Sequence, residues 1–290
     1  MKTAIFVTLF ANLRYYIYGG SIMIIDSHVH FGSALNFDMK KEYVLEAMKK
    51  YKVNAMIVSN CESTECNHQQ KILPVSEQVK QIKSAIGAVQ FARENPGKIY
   101  AAIWCKPLLE KPDDDLETLI KENLDVVKAL KFHPYHSAVP FDDEKIESYM
   151  YLAEKYNLPV ITHTGNSDYD STDRVYSMAL RHKGVIFIMA HLGLETDNMH
   201  AIELCRKLPN LYGDTAWVSM KSAVEFVKKC GSSKLLFGSD LPIDGVDTYL
   251  HNPLGERSVY QDYFHELFKH ISSEDYENIM AKNAKTLFGI

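Results

Sequence analysis

Short apolar runs alternate with amphipathic stretches along nearly the whole chain, and this alternation is the strongest constraint on its fold. Buried parallel strands read as continuous apolar runs, and their alternation with helices is typical of a parallel sheet. Two helical stretches, 260–271 and 274–288, follow the last run. The pattern predicts an α/β protein, a single (β/α)8 TIM barrel with extra C-terminal helices. The eight predicted strands are residues 23–26, 55–59, 100–104, 129–132, 160–162, 185–190, 211–214 and 235–238.

The beginning of the chain does not fit this pattern. Lys2 precedes an apolar run that is too short to span a membrane, and no small-residue cleavage site follows it at the right distance. The first strand-like run opens only at Met23. We therefore expect residues 1–22 to be an extension outside the native fold and residues 23–290 to form the barrel domain. A cleaved signal segment and a structured arm are the alternatives.

Charge and cysteine content limit the classes of partner. The chain has 32 Lys and Arg against 37 Asp and Glu, a net charge of −5. Nucleic acids and anionic membranes bind basic surfaces, so neither is expected as a partner. The five cysteines show no disulfide framework, which indicates free thiols in a reducing compartment and a cytoplasmic protein.

Side chains that can bind metals follow several of the predicted strands. In an extended segment alternate residues share a face, so the first strand can direct both His28 and His30 inward. A single histidine at a strand end is more often structural, but here the groups recur on one predicted rim. Because barrel enzymes build their active sites at the C-terminal strand ends, the combination predicts a divalent metal site. The other groups are Lys131, His163, His191 and Asp240, after strands four, five, six and eight.

The words Asp-Ser-His-Val-His, Ala-His-Leu-Gly and Gly-Ser-Asp-Leu-Pro resemble those of the amidohydrolase superfamily, in particular its amidohydrolase-2 branch. The resemblance covers residues 23–290. It implies a metal-dependent enzyme with one ion, Zn²⁺ before Mn²⁺ or Fe²⁺. Asp240 would be the general base, and His191 would orient a water or stabilise an oxyanion. The implied ligands are His28, His30, His163 and Asp240.

Lys131 leaves a second arrangement open. In two-metal members of the superfamily a lysine at this position carries CO₂ as a bridging carbamate. His163 and His191 then hold the second ion. The sequence contains every residue that this form needs, and we favour one ion with two as the alternative.

Cationic and aromatic residues on the same rim point to a small carboxylated substrate. We expect hydrolysis of a lactone, ester or amide through a metal-activated water. The reason is that a lysine at the end of strand four, Lys131, resembles the hydrolytic members of the superfamily more than the decarboxylating ones. A nonoxidative decarboxylase of a carboxylated ring, which is a lyase, is the first alternative. A catalytically silent barrel used as a binding module is the second alternative. The sequence leaves open whether the chain forms a homo-oligomer. The candidate substrate-binding residues are His133, Arg174, Trp217 and Lys106.

Overall fold

A computed structural model describes residues 22–243 and 263–290. In this part of the chain nine strands form one sheet in the order β2-β1-β3-β4-β5-β6-β7-β8-β9. Strand β2 pairs antiparallel with β1, and every other pair of neighbours is parallel. The strands are β1 (Ile25–Ala34), β2 (Phe37–Met39), β3 (Ala55–Asn60), β4 (Ile99–Trp104), β5 (Val127–Phe132), β6 (Val160–His163), β7 (Phe187–Ala190), β8 (Leu211–Asp214) and β9 (Leu235–Leu236).

The sheet closes on itself between β1 and the segment that follows β9. Val29 bridges Leu241 in parallel register. On the same seam the Ser27 amide donates to the Phe237 carbonyl at 2.9 Å. Eight parallel strands therefore surround one axis, and the predicted (β/α)8 barrel is confirmed.

Helices cover the outside of the barrel, and the last helix of the chain closes the end of the barrel opposite the C-terminal rim. Ile57 and Ile188 lie inside the barrel in a buried cluster with Ala284 and Phe288 from the end of the chain. With this end filled by apolar side chains, the opposite rim is left for polar groups. The described helices are α1 (Lys41–Tyr51), α2 (Gln81–Glu94), α3 (Asp114–Glu122), α4 (Pro134–Ser137), α5 (Glu147–Lys155), α6 (Thr172–Arg181), α7 (Met199–Lys207), α8 (Met220–Cys230), α9 (Ser273–Glu277) and α10 (Asn283–Phe288).

The first strand is longer than predicted. The expected end at residue 26 is wrong, because β1 keeps its pairing with β3 as far as Phe31 and Asn60. It then turns back into β2 through Leu35 and Asn36, both of which have positive φ. Both metal-binding candidates of this strand therefore lie on strand backbone, with His28 at a register shift between Asp26 and Val29 and His30 directly opposite Ser59.

The ends of the chain are only partly described. Residues 1–21 lie outside the described residues, while Ile22 packs against the core. The predicted helix 260–271 begins outside them as well, and from residue 263 on it contains a 3₁₀ turn at Leu267–Lys269. The predicted helix 274–288 is divided into α9, a π-helical segment Asn278–Lys282 and α10. No helix in the described ranges is long and apolar enough to cross a membrane.

Candidate active site

Three atoms that could bind a metal ion converge at the C-terminal rim of the barrel. The Nε2 atoms of His28 and His30 are 3.1 Å apart. Oδ1 of Asp240 lies 3.3 Å from the first and 3.0 Å from the second. All three residues are buried, with at most 8% of their surface exposed. The barrel thus brings together residues from β1 and from the segment after β9.

Contacts behind the two imidazoles set their orientation. Nδ1 of His28 is 2.8 Å from Oδ2 of Asp214, and Nδ1 of His30 is 2.7 Å from Oγ of Ser59. When each Nδ1 is engaged in this way, both Nε2 atoms are directed to the same point. Burial is the largest effect on both rings and lowers the pKa of each below its usual range, which keeps the rings neutral at pH 7.

Asp240 is held by neighbours on both oxygens. Trp217 donates from Nε1 to Oδ2 at 2.8 Å, while Oδ1 faces the two histidines. Burial alone would raise the pKa of this carboxyl, but His28 and His30 hold it well below its usual range. The group is therefore an anion at neutral pH. Its backbone φ of +64° is in the left-handed region, which residues other than glycine seldom adopt.

Lys131 and His191 border the same point. Nζ of Lys131 lies 2.9 Å from Nε2 of His28, and burial lowers the pKa of the lysine to about 8. The His191 ring is centred 5.1 Å from that of His28, and burial lowers its pKa to about 3. Nδ1 of His191 faces the Ala216 carbonyl at 3.1 Å. Because a carbonyl can only accept, the ring proton is on Nδ1, and Nε2 is an acceptor.

His163, the fourth ligand implied by the sequence resemblance, lies beside the converging set and not in it. Its Nε2 is 3.3 Å from Oδ2 of Asp170. The ligand groups that meet within the described residues are His28 with His30 and Asp240, and His28 with His191 and Asp214. The role of His163 as a ligand remains a prediction.

Six aromatic rings form a closed circuit around the site. The tightest pair is His133 and His163, which stack with centroids 3.9 Å apart and planes 14° apart. The other neighbours have centroids 4.8 to 5.8 Å apart. The site therefore has flat aromatic walls as well as potential ligand atoms. In order around the circuit the rings are His28, His30, Trp104, His133, His163 and His191.

The long loop after β3, residues 60–79, covers the circuit next to His133. Cys66 donates its amide to the His136 carbonyl at 2.7 Å, and Nδ1 of His136 faces the Cys66 carbonyl at 3.1 Å. The His136 ring in turn lies 4.4 Å from that of His133. The loop thus reaches the ring circuit through His136.

The predicted substrate-binding residues differ in their surroundings. Trp217 is 40% exposed and contacts Asp240, and His133 belongs to the ring circuit. Arg174 donates to Asp142 at 2.7 Å and to the carbonyl of Asp168, so its charge is already paired. The fourth residue, Lys106, is 2% exposed and donates from Nζ to the Val79 carbonyl at 2.8 Å. These contacts favour structural roles for Arg174 and Lys106, whose assignment to substrate stays a prediction.

The donor set fits a divalent ion. Bonds of about 2.0–2.1 Å to two neighbouring ligand atoms separate those atoms by about 2.8–3.0 Å at octahedral angles and about 3.3–3.4 Å at tetrahedral angles. The separations among His28, His30 and Asp240, 3.0 to 3.3 Å, lie within these limits. Two neutral imidazole lone pairs and a carboxylate directed at one point also require a cation or a proton between them.

Sequence reasoning missed three residues that shape the site. Asp214 ends β8 and Trp104 ends β4, so the same rule of strand ends would have found both. Ser59, near the end of β3, had no signal because a serine in an apolar run is common. All three contact residues that the sequence did single out, namely His28, His30 and His133.

A family model described as amidohydrolase matches residues 25–290. The chain belongs to this amidohydrolase family. Among curated proteins, none matches the chain. The match begins at β1 and includes every described strand and helix of the barrel.

Solved structures of other proteins share the amidohydrolase barrel. A dihydroxybenzoic acid decarboxylase from Polaromonas, with manganese and 2-nitroresorcinol bound, is 12% identical with a TM-score of 0.68, covering 93% of this chain and 97% of that one. A 5-carboxyvanillate decarboxylase from Novosphingobium aromaticivorans, also with manganese, is 8% identical with a TM-score of 0.68 and coverages of 93% and 97%. A 2,6-dihydroxybenzoate decarboxylase from Rhizobium is 13% identical, with a TM-score of 0.62 and coverages of 93% and 99%. At these identities the likeness concerns the fold.

Proposed function

We propose that this protein is a metal-dependent decarboxylase of a small molecule that carries a carboxylate on a planar ring. The observation that carries the proposal is the circuit of six rings around the converging ligand atoms. Stacked and edge-on aromatic walls suit a flat substrate, since rings pack best face to face with an offset or edge to face. The roles of individual residues in this reaction are part of the proposal.

His28, His30 and Asp240 would hold the ion, and His163 is the candidate for a further ligand. When bound, the ion would supply positive charge that attracts the substrate's anionic oxygens and stabilises charge developing on the ring. The residue types suit Zn²⁺, whereas two of the similar structures hold Mn²⁺. The proposal is therefore for a divalent ion of either kind.

Decarboxylation replaces the bond between the ring carbon and the carboxylate with a bond from that carbon to hydrogen, and CO₂ leaves. A proton must be delivered to the ring carbon. We assign this transfer to Asp240. Its Oδ1 faces the Nε2 atom of His30, and its Oδ2 accepts a hydrogen bond from Trp217. The anionic carboxylate takes a proton from a substrate hydroxyl or water and returns it to the ring.

Of the two roles that the sequence suggested for His191, we keep the first, the orientation of a water. Its Nε2 is an acceptor, because the ring proton is on Nδ1, which donates it to the Ala216 carbonyl. An acceptor can orient the O–H of a water or hydroxyl, but it cannot donate a hydrogen bond to an oxyanion. We therefore propose that His191 positions a proton-bearing oxygen.

Hydrolysis of a lactone, ester or amide is the second candidate, and Lys131 is the observation that favours it. A buried amine with its pKa lowered to about 8, 2.9 Å from Nε2 of His28, is in a setting where the neutral form can take up CO₂. Such a carbamate belongs to hydrolytic relatives. The similar structures named above are decarboxylases, which supports the first candidate over this one.

One screen separates the two reactions. The protein loaded with Mn²⁺ or Zn²⁺ is incubated with 2,6-dihydroxybenzoate and 5-carboxyvanillate, and separately with lactones and aryl esters. We expect CO₂ release equal to the loss of ring acid, and no turnover of lactones or esters. Ester or lactone turnover without CO₂ release from any ring acid would instead establish the hydrolase.

Two variants control the screen. Asp240→Asn keeps the size of the side chain but cannot accept and return a proton, so the measured turnover should disappear. His200→Ala removes an exposed histidine that pairs with Asp173 away from the ligand point, and its turnover should match wild type. Turnover that survives in Asp240→Asn would show that a different protein or residue is responsible.

A further inference from the structure

We infer that Asp214 is a positioning residue that fixes the tautomer of His28 and thereby prepares Nε2 of that ring to bind metal. The inference rests on the proposed metal site. It adds a residue that lies behind the ligands and was not among the sequence candidates. Asp214 is fully buried at the end of β8, the strand that pairs with β7 and β9.

Both oxygens of Asp214 face N–H groups. Oδ1 accepts from the amides of His191 and Ala216, at 2.9 and 3.1 Å. Oδ2 lies 2.8 Å from Nδ1 of His28. A carboxylate can accept on both sides at once. It therefore keeps the His28 proton on Nδ1 and leaves the Nε2 lone pair directed at His30 and Asp240.

The same carboxylate fixes the positions of two parts of the site relative to each other. Through Oδ2 it orients a ring from β1, and through Oδ1 it holds the backbone where His191 turns away from the end of β7. His191 has a left-handed φ of +69°, and its amide donates to this carboxylate at 2.9 Å. The backbone that carries His191 and the ring of His28 consequently share one anchor.

An amide in place of the carboxylate cannot satisfy this arrangement. In Asp214→Asn a single oxygen accepts, and the two fixed amides of His191 and Ala216 would occupy it. The NH₂ group would then face Nδ1 of His28, which must accept and pass its proton to Nε2. An Nε2 that bears a proton has no lone pair for an ion, so metal binding should weaken.

The experiment measures tautomer and metal affinity on the same proteins. Imidazole ¹⁵N shifts are recorded on histidine-labelled apo-protein, with the His28 signals assigned from their absence in His28→Gln. Affinities for Zn²⁺ and Mn²⁺ are measured by calorimetry. We expect the proton on Nδ1 in wild type and on Nε2 in Asp214→Asn, with metal affinity lower by about 10–100-fold.

Asp26→Asn is the matched control. Asp26 is an equally buried carboxylate that accepts from the backbone amides of His28 and Ser239 at 3.1 Å and from the Ser239 hydroxyl at 2.6 Å, so it holds backbone beside the site. Both variants should lower the melting temperature. Only Asp214→Asn should move the ring proton and weaken metal binding, a difference that a purely structural role would not produce.

The outcomes separate this inference from the proposed function. Unchanged metal affinity and an unchanged tautomer in Asp214→Asn would overturn the role of Asp214 and leave the metal site standing. Absence of metal binding in wild type would overturn the proposed function itself. If Asp214→Asn does not fold, the wild-type tautomer decides: a His28 proton on Nε2 contradicts the inference, and one on Nδ1 supports it.

Discussion

His28 and His30 direct their Nε2 atoms to within 3.1 Å of each other, although each ring is held from behind by a different strand. Asp214 on β8 holds the first ring and Ser59 on β3 holds the second. Ligands that are oriented before an ion arrives lose little conformational freedom on binding it. The proposed metal site thus depends on the closed barrel, because β8 comes within reach of His28 only when β1 meets the segment that follows β9.

The first prediction concerns metal content. The purified protein should contain about one equivalent of divalent metal, two if the Lys131 carbamate forms, because the ligand atoms already converge. The double variant His28→Ala/His30→Ala should contain none by elemental analysis. His200→Ala, which removes an exposed histidine, should keep the wild-type content. Equal metal in the double variant would refute the site.

The second prediction uses the two tryptophans as reporters. Trp104 contacts the rings of His30 and His133, and Trp217 donates to Asp240. Paramagnetic Mn²⁺ should therefore quench the fluorescence of both indoles when it binds.

Single-tryptophan variants test this directly. Trp104→Phe and Trp217→Phe should each still be quenched by Mn²⁺, and EDTA should restore the signal. The His28→Ala/His30→Ala protein should show no quenching at the same Mn²⁺ concentration. Quenching that persists there would place the Mn²⁺ elsewhere.

The third prediction concerns the dependence of stability on pH. Glu65, in the loop after β3, is 1% exposed, and its Oε2 has no hydrogen-bond partner in the described structure. Burial raises the pKa of this carboxyl from 4.5 to about 8. The folded protein therefore binds a proton that the unfolded chain releases above pH 4.5. The stabilising effect of this proton is complete below that pH and is lost as the pH rises through 8.

Glu65→Gln should remove this dependence. Relative to wild type, the variant should gain stability as the pH rises from 4.5 to above 8, by at most about 5 kcal/mol. Chemical denaturation at pH 5, 7 and 9 measures the difference. Glu77→Gln, at an exposed position of the same loop, should follow wild type at every pH. A constant difference between Glu65→Gln and wild type would contradict the prediction.

The fourth prediction concerns Lys131. If its neutral amine takes up CO₂, bicarbonate should raise the number of metal ions bound per chain, and Lys131→Met should abolish that increase. Lys128→Met provides the comparison, since Lys128 lies on the same strand but is near Tyr100 and away from His28. Metal content that does not respond to bicarbonate would leave the one-ion form.

The fifth prediction is that residues 1–22 are dispensable. A chain that begins at Met23 retains β1, and the only described residue that it loses is Ile22, a partly buried side chain at the edge of the core. The loss should cost about 1 kcal/mol or less. Melting temperature and metal content should both stay close to those of the full chain. An insoluble product, or one without metal, would show that the segment contributes to the fold.

The barrel could be predicted from the sequence because its strands are buried on both faces, so each appears as an apolar run between turn residues. The length of β1 could not, since Ser27, His28 and His30 interrupt its apolar character while its backbone continues to pair with β3. Local hydrophobicity does not record pairing between strands that are distant in sequence.

The site was predictable only in part for a related reason. His28, His30 and Asp240 follow the rule that ligands occupy strand ends, and they do converge. Asp170, which lies 3.3 Å from His163, is in a loop and satisfies no such rule. Whether a side chain faces the ligand point or a neighbouring carboxylate depends on rotamers that sequence spacing does not determine.

The left-handed backbone at His191 and Asp240 has a consequence for how such a chain can change over generations. Each residue carries strain of about 1 kcal/mol that glycine would not have. Glycine at either position would relieve this strain and would at the same time remove an imidazole or a carboxylate from the rim. The chain therefore keeps a backbone cost at both positions together with the two side chains that the proposed chemistry needs.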